Sequence, residues 1–313
     1  MVRPQSFRER LEEFERASLS TWAVTATETK GRDRHEEPDP LRTAFQIDVH
    51  RLLSSRGFEA LAGKSAWLPT ASAPNLLLVT LEAVRLAGSL ARALRLNADL
   101  TQAIALGHAL GAPPFADAGV AALADFGYEP REQALRVVER LEWDGAGLNL
   151  TWETRDGILT VTGPRQPATV EGQVVRLAVV LAQLTRSPGV AGAARDPRIR
   201  MRLGAHPREW GDALIARAAT ASVDSPKIRL GDEGEALLGA LRDAVEQARG
   251  PSAAAAAERH RAVHCLQSLA IYALEHGSTA ADEGARSRMI DELVLRSERD
   301  VVAAYRARFE PGA

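Results

Sequence analysis

The sequence predicts an all-α fold, on three observations. Apolar residues recur three and four positions apart along most of the chain. Cap-forming residues and Gly or Pro stops punctuate those stretches. The one run rich in β-branched residues, "GILTVTG" at 157–163, is too short to establish a sheet.

Taken in order, Phe7, Leu11 and Phe14 share one face of a first helix. The charged, proline-containing "TKGRDRHEEPDP" that follows reads as a loop, and "LRTAFQIDVHRLLSS" as the next helix. Leu81, Val84, Leu86, Leu90 and Leu94 line the core face of a helix ending near Arg95. Asn97 or Asp99 caps its successor, "LTQAIALGHALG", which stops at Gly111 and the two prolines behind it. "REQALRVVERLE" and "PATVEGQVVRLAVVLAQLTR" are helical, and "RSPGVAGAARDP" is a break. Beyond it lie "GDEGEALLGALRDAVEQAR", an alanine run at 253–257 leading into "ERHRAVHCLQSLAIYALEHG", and "SRMIDELVLRSERDVVAAYRARF".

Composition narrows the function classes. With 45% hydrophobic and 26% charged residues in 313, the chain reads as a soluble globular protein with material for a large core. A formal net charge of −2 supplies no global field for nucleic acid or an anionic membrane, although a local patch stays compatible with it. The single cysteine, Cys265, rules out an intramolecular disulfide and a cysteine-built zinc site, and it suits a reducing compartment. No run approaches the roughly 20 apolar residues of a membrane span, and the first twenty residues lack a signal-type apolar core. The expected location is the cytoplasm.

The stretch "ALGHALGAPPFADAG" looks like part of an active site, with His108 between glycines and Asp117, between alanines, beyond a Pro-Pro turn. Alone, His108 is weak, because a metal site needs three or four converging ligands. His260 and His264 stand four apart on one helix face, but no HExxH context completes a zinc site, and they read as partly exposed histidines. Cys265 beside them reads as core filler. A new carboxylate site around His108 would have to draw on Glu82, Asp117 and Glu129. Neither a Gly-rich phosphate loop nor a Ser-His-Asp signature stands out.

Several blocks give His108 a context. "RTAFQIDVHRLLSSRGFEALAGKS", "TLEAVRLAGSLARALRLNADLTQAIALGHALGAPPFADAGVAAL", "EQALRVVERLE", "GLNLTWETRDGIL" and "PATVEGQVVRLA" resemble, in order and with similar separations, the bacterial dGTP triphosphohydrolase family. That family is a branch of the HD-domain metal-dependent phosphohydrolases. The resemblance implies an HD-domain-like helical bundle with additional C-terminal helices. It implies an N-terminal helix and loop at 1–40, a degenerate HD-type domain at 41–190, and a helical region at 191–313 that packs on it or continues the same domain.

By the same resemblance, the family's chemistry needs one divalent metal such as Mn, Mg or Fe, held by a histidine, an adjacent His-Asp pair and a distant aspartate. Those four positions are here Val79, His108, Ala109 and Val179. The supporting residues differ as well: two histidines become Ala112 and Asp117, a glutamate becomes Val120, and a His-Asn pair becomes Pro130 and Arg131. Two arginines are replaced by Glu59 and Ala60, and a glutamine by Ala66; the 69–75 loop is shorter than the family's. The expectation is no metal cofactor and no triphosphate hydrolysis, with His108, Asp117 and Glu132 as vestiges of the catalytic set.

Lys64, Gln133, Asn149 and Glu171 are the expected remnants of a nucleotide pocket, although Asn149, Trp152 and Glu171 read equally well as buried polar anchors. The implied role is an oligomeric regulatory or nucleotide-binding pseudoenzyme. Its expected partners are a second copy, an active paralogue or a nucleotide. The alternative is a divergent phosphohydrolase with a rebuilt site around His108, Asp117 and Glu132.

Overall fold

A computed structural model describes residues 5–68, 73–250, 252–276 and 284–310. Among them are sixteen α-helices and no strand; the sole extended pairing is a single bridge between Ser65 and Asn75. The all-α expectation therefore holds.

Local chemistry starts the helices. Ser6 and Glu9 form a capping box on α1 (Phe7–Ser18), and Thr43 and Gln46 form another on α2 (Ala44–Leu53). The short α3 (Arg56–Ala60) follows. Asn75 caps α4 (Leu76–Ala93), and Asn97 caps α5 (Ala98–Gly107) by accepting from Leu100 N–H. Next come α6 (Ala116–Leu123), α7 (Pro130–Arg136), α8 (Trp152–Thr160) and α9 (Val170–Arg186). Then α10 (Val190–Ala193), α11 (Pro197–Leu203), α12 (Pro207–Ala221) and α13 (Gly231–Arg249) lead to α14 (Ala253–His276), α15 (Ala285–Val294) and α16 (Glu298–Phe309).

Helix α5 is buried nearly all round, as a central helix must be. Leu100, Ile104 and Ala105 enter one hydrophobic cluster with Leu86 and Leu90 of α4, Val175 of α9, Trp210 of α12 and Leu241 of α13. Ala103 and Leu106 enter a second, with Leu123 of α6, Leu266 of α14, Ile290 of α15 and Val301 of α16. The helix ends at Gly107, four residues before the stop predicted at Gly111. Past that point the backbone tightens, with Leu110 N–H donating to Gly107 C=O, three residues back.

Two glycines let α5 and α8 touch. A Cβ on Gly157 would lie 2.5–2.6 Å from three Ile104 carbons, and one on Gly107 would lie 2.4 Å from Ile158 Cδ1. This explains "GILTVTG": its first four residues are the last turn of α8, with Ile158 fully buried against α5, so tertiary contact overrides the β-branched tendency. Gly157→Ala is expected to cost about 2–3 kcal/mol through overpacking, visible as a lowered urea midpoint with an unchanged m-value.

The first helix forms where expected, with its apolar face turned to solvent. Phe7 and Phe14 are 65% and 67% exposed, while the residue α1 buries is Glu15. Glu15 Oε2 accepts from Ala26 N–H at 2.7 Å, so α1 orients itself by holding the chain that follows. That chain, residues 24–36, includes most of the predicted loop, and it crosses the body as an extended strap after one 3₁₀ turn at Ala26–Glu28.

Candidate functional site

The four positions assigned to metal ligands lie on α4, α9 and the end of α5, three helices that pack pairwise against one another. Val79 and Val179 are 4% and 2% exposed in the first cluster, and Ala109 is 8% exposed in the second. None of the three has a donor atom. His108 is half-buried, and its Nδ1 lies 2.7 Å from Ala105 C=O. Burial, which outweighs this hydrogen bond, holds the imidazole below its usual pKa, so it is neutral at pH 7 and offers Nε2 alone. One imidazole nitrogen, with no donor at the other three positions, does not fit a divalent ion, which needs several hard or imidazole donors. Among the described residues, no three His, Cys, Asp or Glu side chains group closely enough to hold a metal.

The surrounding carboxylates have other partners. Glu82, one turn beyond Val79, accepts from Arg85 at 2.7 Å and Arg186 at 2.6 Å. Burial pushes its carboxyl up, but the two guanidiniums outweigh that and hold its pKa below the usual range. Asp117 pairs with Arg259 of α14. Glu129 caps α7, accepting from the N–H groups of Arg131 and Glu132, and its second oxygen takes Arg131 Nε at 2.7 Å. Glu132 is exposed in the first turn of that helix. Glu59 is exposed in α3, and residues 69–72 of the short 69–75 loop lie outside the described residues.

The four nucleotide-pocket candidates divide into two pairs. Lys64 is 1% exposed, and its Nζ donates to Ala112 C=O at 2.8 Å. Glu298 at the start of α16 lies close enough to act on its charge and accepts from Ser65 N–H and Phe115 N–H at 2.7 and 2.9 Å. Gln133 donates to Asp291 of α15 at 2.8 Å, alongside a two-pronged Arg136–Asp291 pair. Gln133 therefore attaches α15, and Lys64 ties its own turn to Ala112 beside the Glu298 contacts of α16.

Asn149 and Glu171 hold the strap instead. Asn149 accepts from Arg34 N–H at 3.0 Å and donates to Arg34 C=O at 2.9 Å and Glu36 at 2.7 Å. Glu171 Oε1 accepts from Val24 N–H at 3.0 Å and Asn97 N–H at 3.1 Å. Trp152 joins them, with Lys30 Nζ 3.4 Å from its ring centre and Gly31 C=O accepting from its backbone N–H.

Sequence reasoning missed Glu153 and Asp48, which complete this clamp. Glu153 accepts from Thr29 Oγ1 and Lys30 N–H at 2.7 and 2.8 Å. Asp48 accepts from Arg32 at 2.5 Å and from Thr151 and Thr154. An acid at a helical position that should be apolar was the available signal for both.

With fold and site described, the class is an all-helical protein whose central helix ends at a lone histidine. No family model matches the chain. It is 36% identical over 295 residues to a deoxyguanosinetriphosphate triphosphohydrolase-like protein of Caldanaerobacter subterraneus subsp. tengcongensis, a match spanning 91% of this chain and 81% of the other. Proteins of the same name from Clostridium perfringens and Desulfatibacillum aliphaticivorans are 41% and 40% identical over 185 and 196 residues. Those matches span 54% and 56% of the relatives' lengths. The chain belongs to the deoxyguanosine triphosphate triphosphohydrolase-like family. No described helix is long and apolar enough to cross a membrane.

Proposed function

We propose that this member of the family carries out no metal-dependent triphosphate hydrolysis and serves as an oligomeric regulatory or nucleotide-binding module. The observation that carries the reading is that Val79, Ala109 and Val179 are buried hydrocarbon without a donor atom, which leaves His108, its Nδ1 already engaged, as the one ligand-type side chain of the four positions. The arginine partners of Glu82 and Asp117 support it, because a carboxylate paired with a guanidinium is a poor cation ligand. Phe7, Leu11 and Phe14, exposed along one side of α1, support self-association, since an apolar stripe in water gains by being covered.

The test is metal analysis of protein purified without chelating resin, followed by incubation with dGTP and Mn²⁺. The expected result is substoichiometric metal and no tripolyphosphate. Stoichiometric Mn, Fe, Mg or Zn, with cleavage that disappears in His108→Ala, would establish the rebuilt site around His108, Asp117 and Glu132 instead. Light scattering on the same protein is expected to show more than one copy per particle, and a monomer would remove the assembly role.

A further inference from the structure

Between α14 and α16 the surface opens into a cavity of about 440 Å³, within the range of small-molecule sites. Its floor is apolar: Phe115 and Cys265 are each 8% exposed, and Val302 is half-buried. Burial pushes the Cys265 thiol up to about 11, so this sulfur is a neutral packing surface at pH 7 rather than a nucleophile. His264 and Tyr305 form an aromatic wall, their rings meeting edge to face with centres 5.9 Å apart.

Backbone strain marks the same place. Phe115 and Ala116 take left-handed conformations, with φ of 66° and 51°, at a turn where a non-glycine residue loses energy. Glu298, accepting from Phe115 N–H, holds that turn, and the turn presents the Phe115 ring to the cavity.

Two arginines supply the cavity's cationic donors. Arg261 of α14 and Arg306 of α16 both line it, and neither guanidinium has an ion pair or side-chain hydrogen bond among the described residues. Neighbours on the same helices are engaged: Arg259 pairs with Asp117, and Arg308 stacks over Tyr272. Two guanidiniums without a direct partner can both donate to a single anion seated between them, although Glu258 and Glu310 balance their formal charge. Glu258 and Glu310 also line the cleft, which limits the negative charge it accepts.

We infer that this cleft binds a planar aromatic molecule bearing one negative charge, its ring on Phe115, Cys265 and Val302 and its anionic group between Arg261 and Arg306. The chemistry is that of an aromatic carboxylate. The site lies apart from His108 and stands whether or not the chain turns over a nucleotide, so it goes beyond the function proposed above.

Calorimetric titration of the full chain with 2-naphthoate, 2-naphthyl phosphate and 2-naphthol tests it. The expected result is saturable one-to-one binding of naphthoate, with naphthol at least about tenfold weaker, a difference near 1.4 kcal/mol. The dianionic phosphate ester is expected to bind no more tightly than naphthoate. R261Q/R306Q, changed at two exposed positions, is expected to bring naphthoate down to the affinity of naphthol and leave naphthol unaffected. V302W, which fills the cavity, is expected to weaken both. Absence of saturable naphthoate binding, tighter binding of the phosphate ester, or naphthoate affinity unchanged in both variants would overturn the assignment.

Discussion

Asp48→Ala is expected to destabilise the protein by about 3–5 kcal/mol, the range for breaking one side of a buried ion pair. Asp48 is fully buried, with Arg32 Nη1 2.5 Å from one oxygen. The other oxygen accepts Thr151 N–H and Oγ1 at 3.0 and 2.6 Å and Thr154 Oγ1 at 2.8 Å. Arg32 also donates to Ala44 C=O and Asn149 C=O at 2.8 and 2.6 Å. Alanine would leave the guanidinium with two carbonyls and the more distant Glu36 carboxylate at 3.9 Å, and the Thr154 hydroxyl short of its acceptor. Asp48→Asn keeps the shape and one acceptor oxygen, so its cost is expected to be about half. Urea unfolding at pH 7 measures both, and a loss under about 1 kcal/mol for the alanine variant would mean that the strap is not clamped there.

The second large effect is a stability minimum near neutral pH, where two buried groups act in opposite directions. Burial pushes the Glu171 carboxyl up to about 7, against its two N–H donors, and Oε2 has no hydrogen-bond partner. The native state therefore holds that proton more tightly than the unfolded chain does. The stabilisation is complete below the ordinary carboxylate pKa of 4.5 and is lost as pH rises through about 7.

Lys64 behaves oppositely. Burial pulls its ammonium down to about 7 despite nearby Glu298, so stability is gained as pH rises from about 7 toward 10.5. Glu171→Gln is expected to match the parent at pH 4.5 and exceed it at pH 8 by on the order of 3 kcal/mol. Lys64→Met is expected to flatten the rise above pH 7, less a constant cost for the lost bond to Ala112 C=O. Stability-versus-pH curves for the three proteins provide the check. A parent curve with a single broad maximum at pH 7 would contradict both assignments.

Residues that act through their own chemistry were legible in sequence. Asn97 caps α5 because an Asn before an apolar helix supplies the acceptor that a free N–H needs. The family resemblance put Val79, Ala109 and Val179 at the metal-ligand positions, and their side-chain types show at once that they carry no donor atom. Partnerships across the chain were not legible. Lys64 and Asn149 read as members of one pocket, yet one faces Ala112 and the other the strap, because periodicity gives a residue's face but not its partner. The outward turn of α1 escaped for the same reason. Phe7, Leu11 and Phe14 share one face as the spacing shows, but spacing does not say what covers that face, and Glu15's bond to Ala26 N–H, eleven residues away, turns the other side of α1 to the body.

The clamp on residues 24–36 also sets an order of events during synthesis. Val24 meets Glu171 across 147 positions, and Thr29 meets Glu153 across 124. Translation delivers the amino-terminal piece first, and Glu15 and Asp48 emerge close to it, yet Glu153 and Glu171 leave the ribosome more than a hundred residues later. Residues 24–36 are thus clamped in full only once Glu171 has emerged, and Glu153 waits for its donors at Thr29 and Lys30 until they dock.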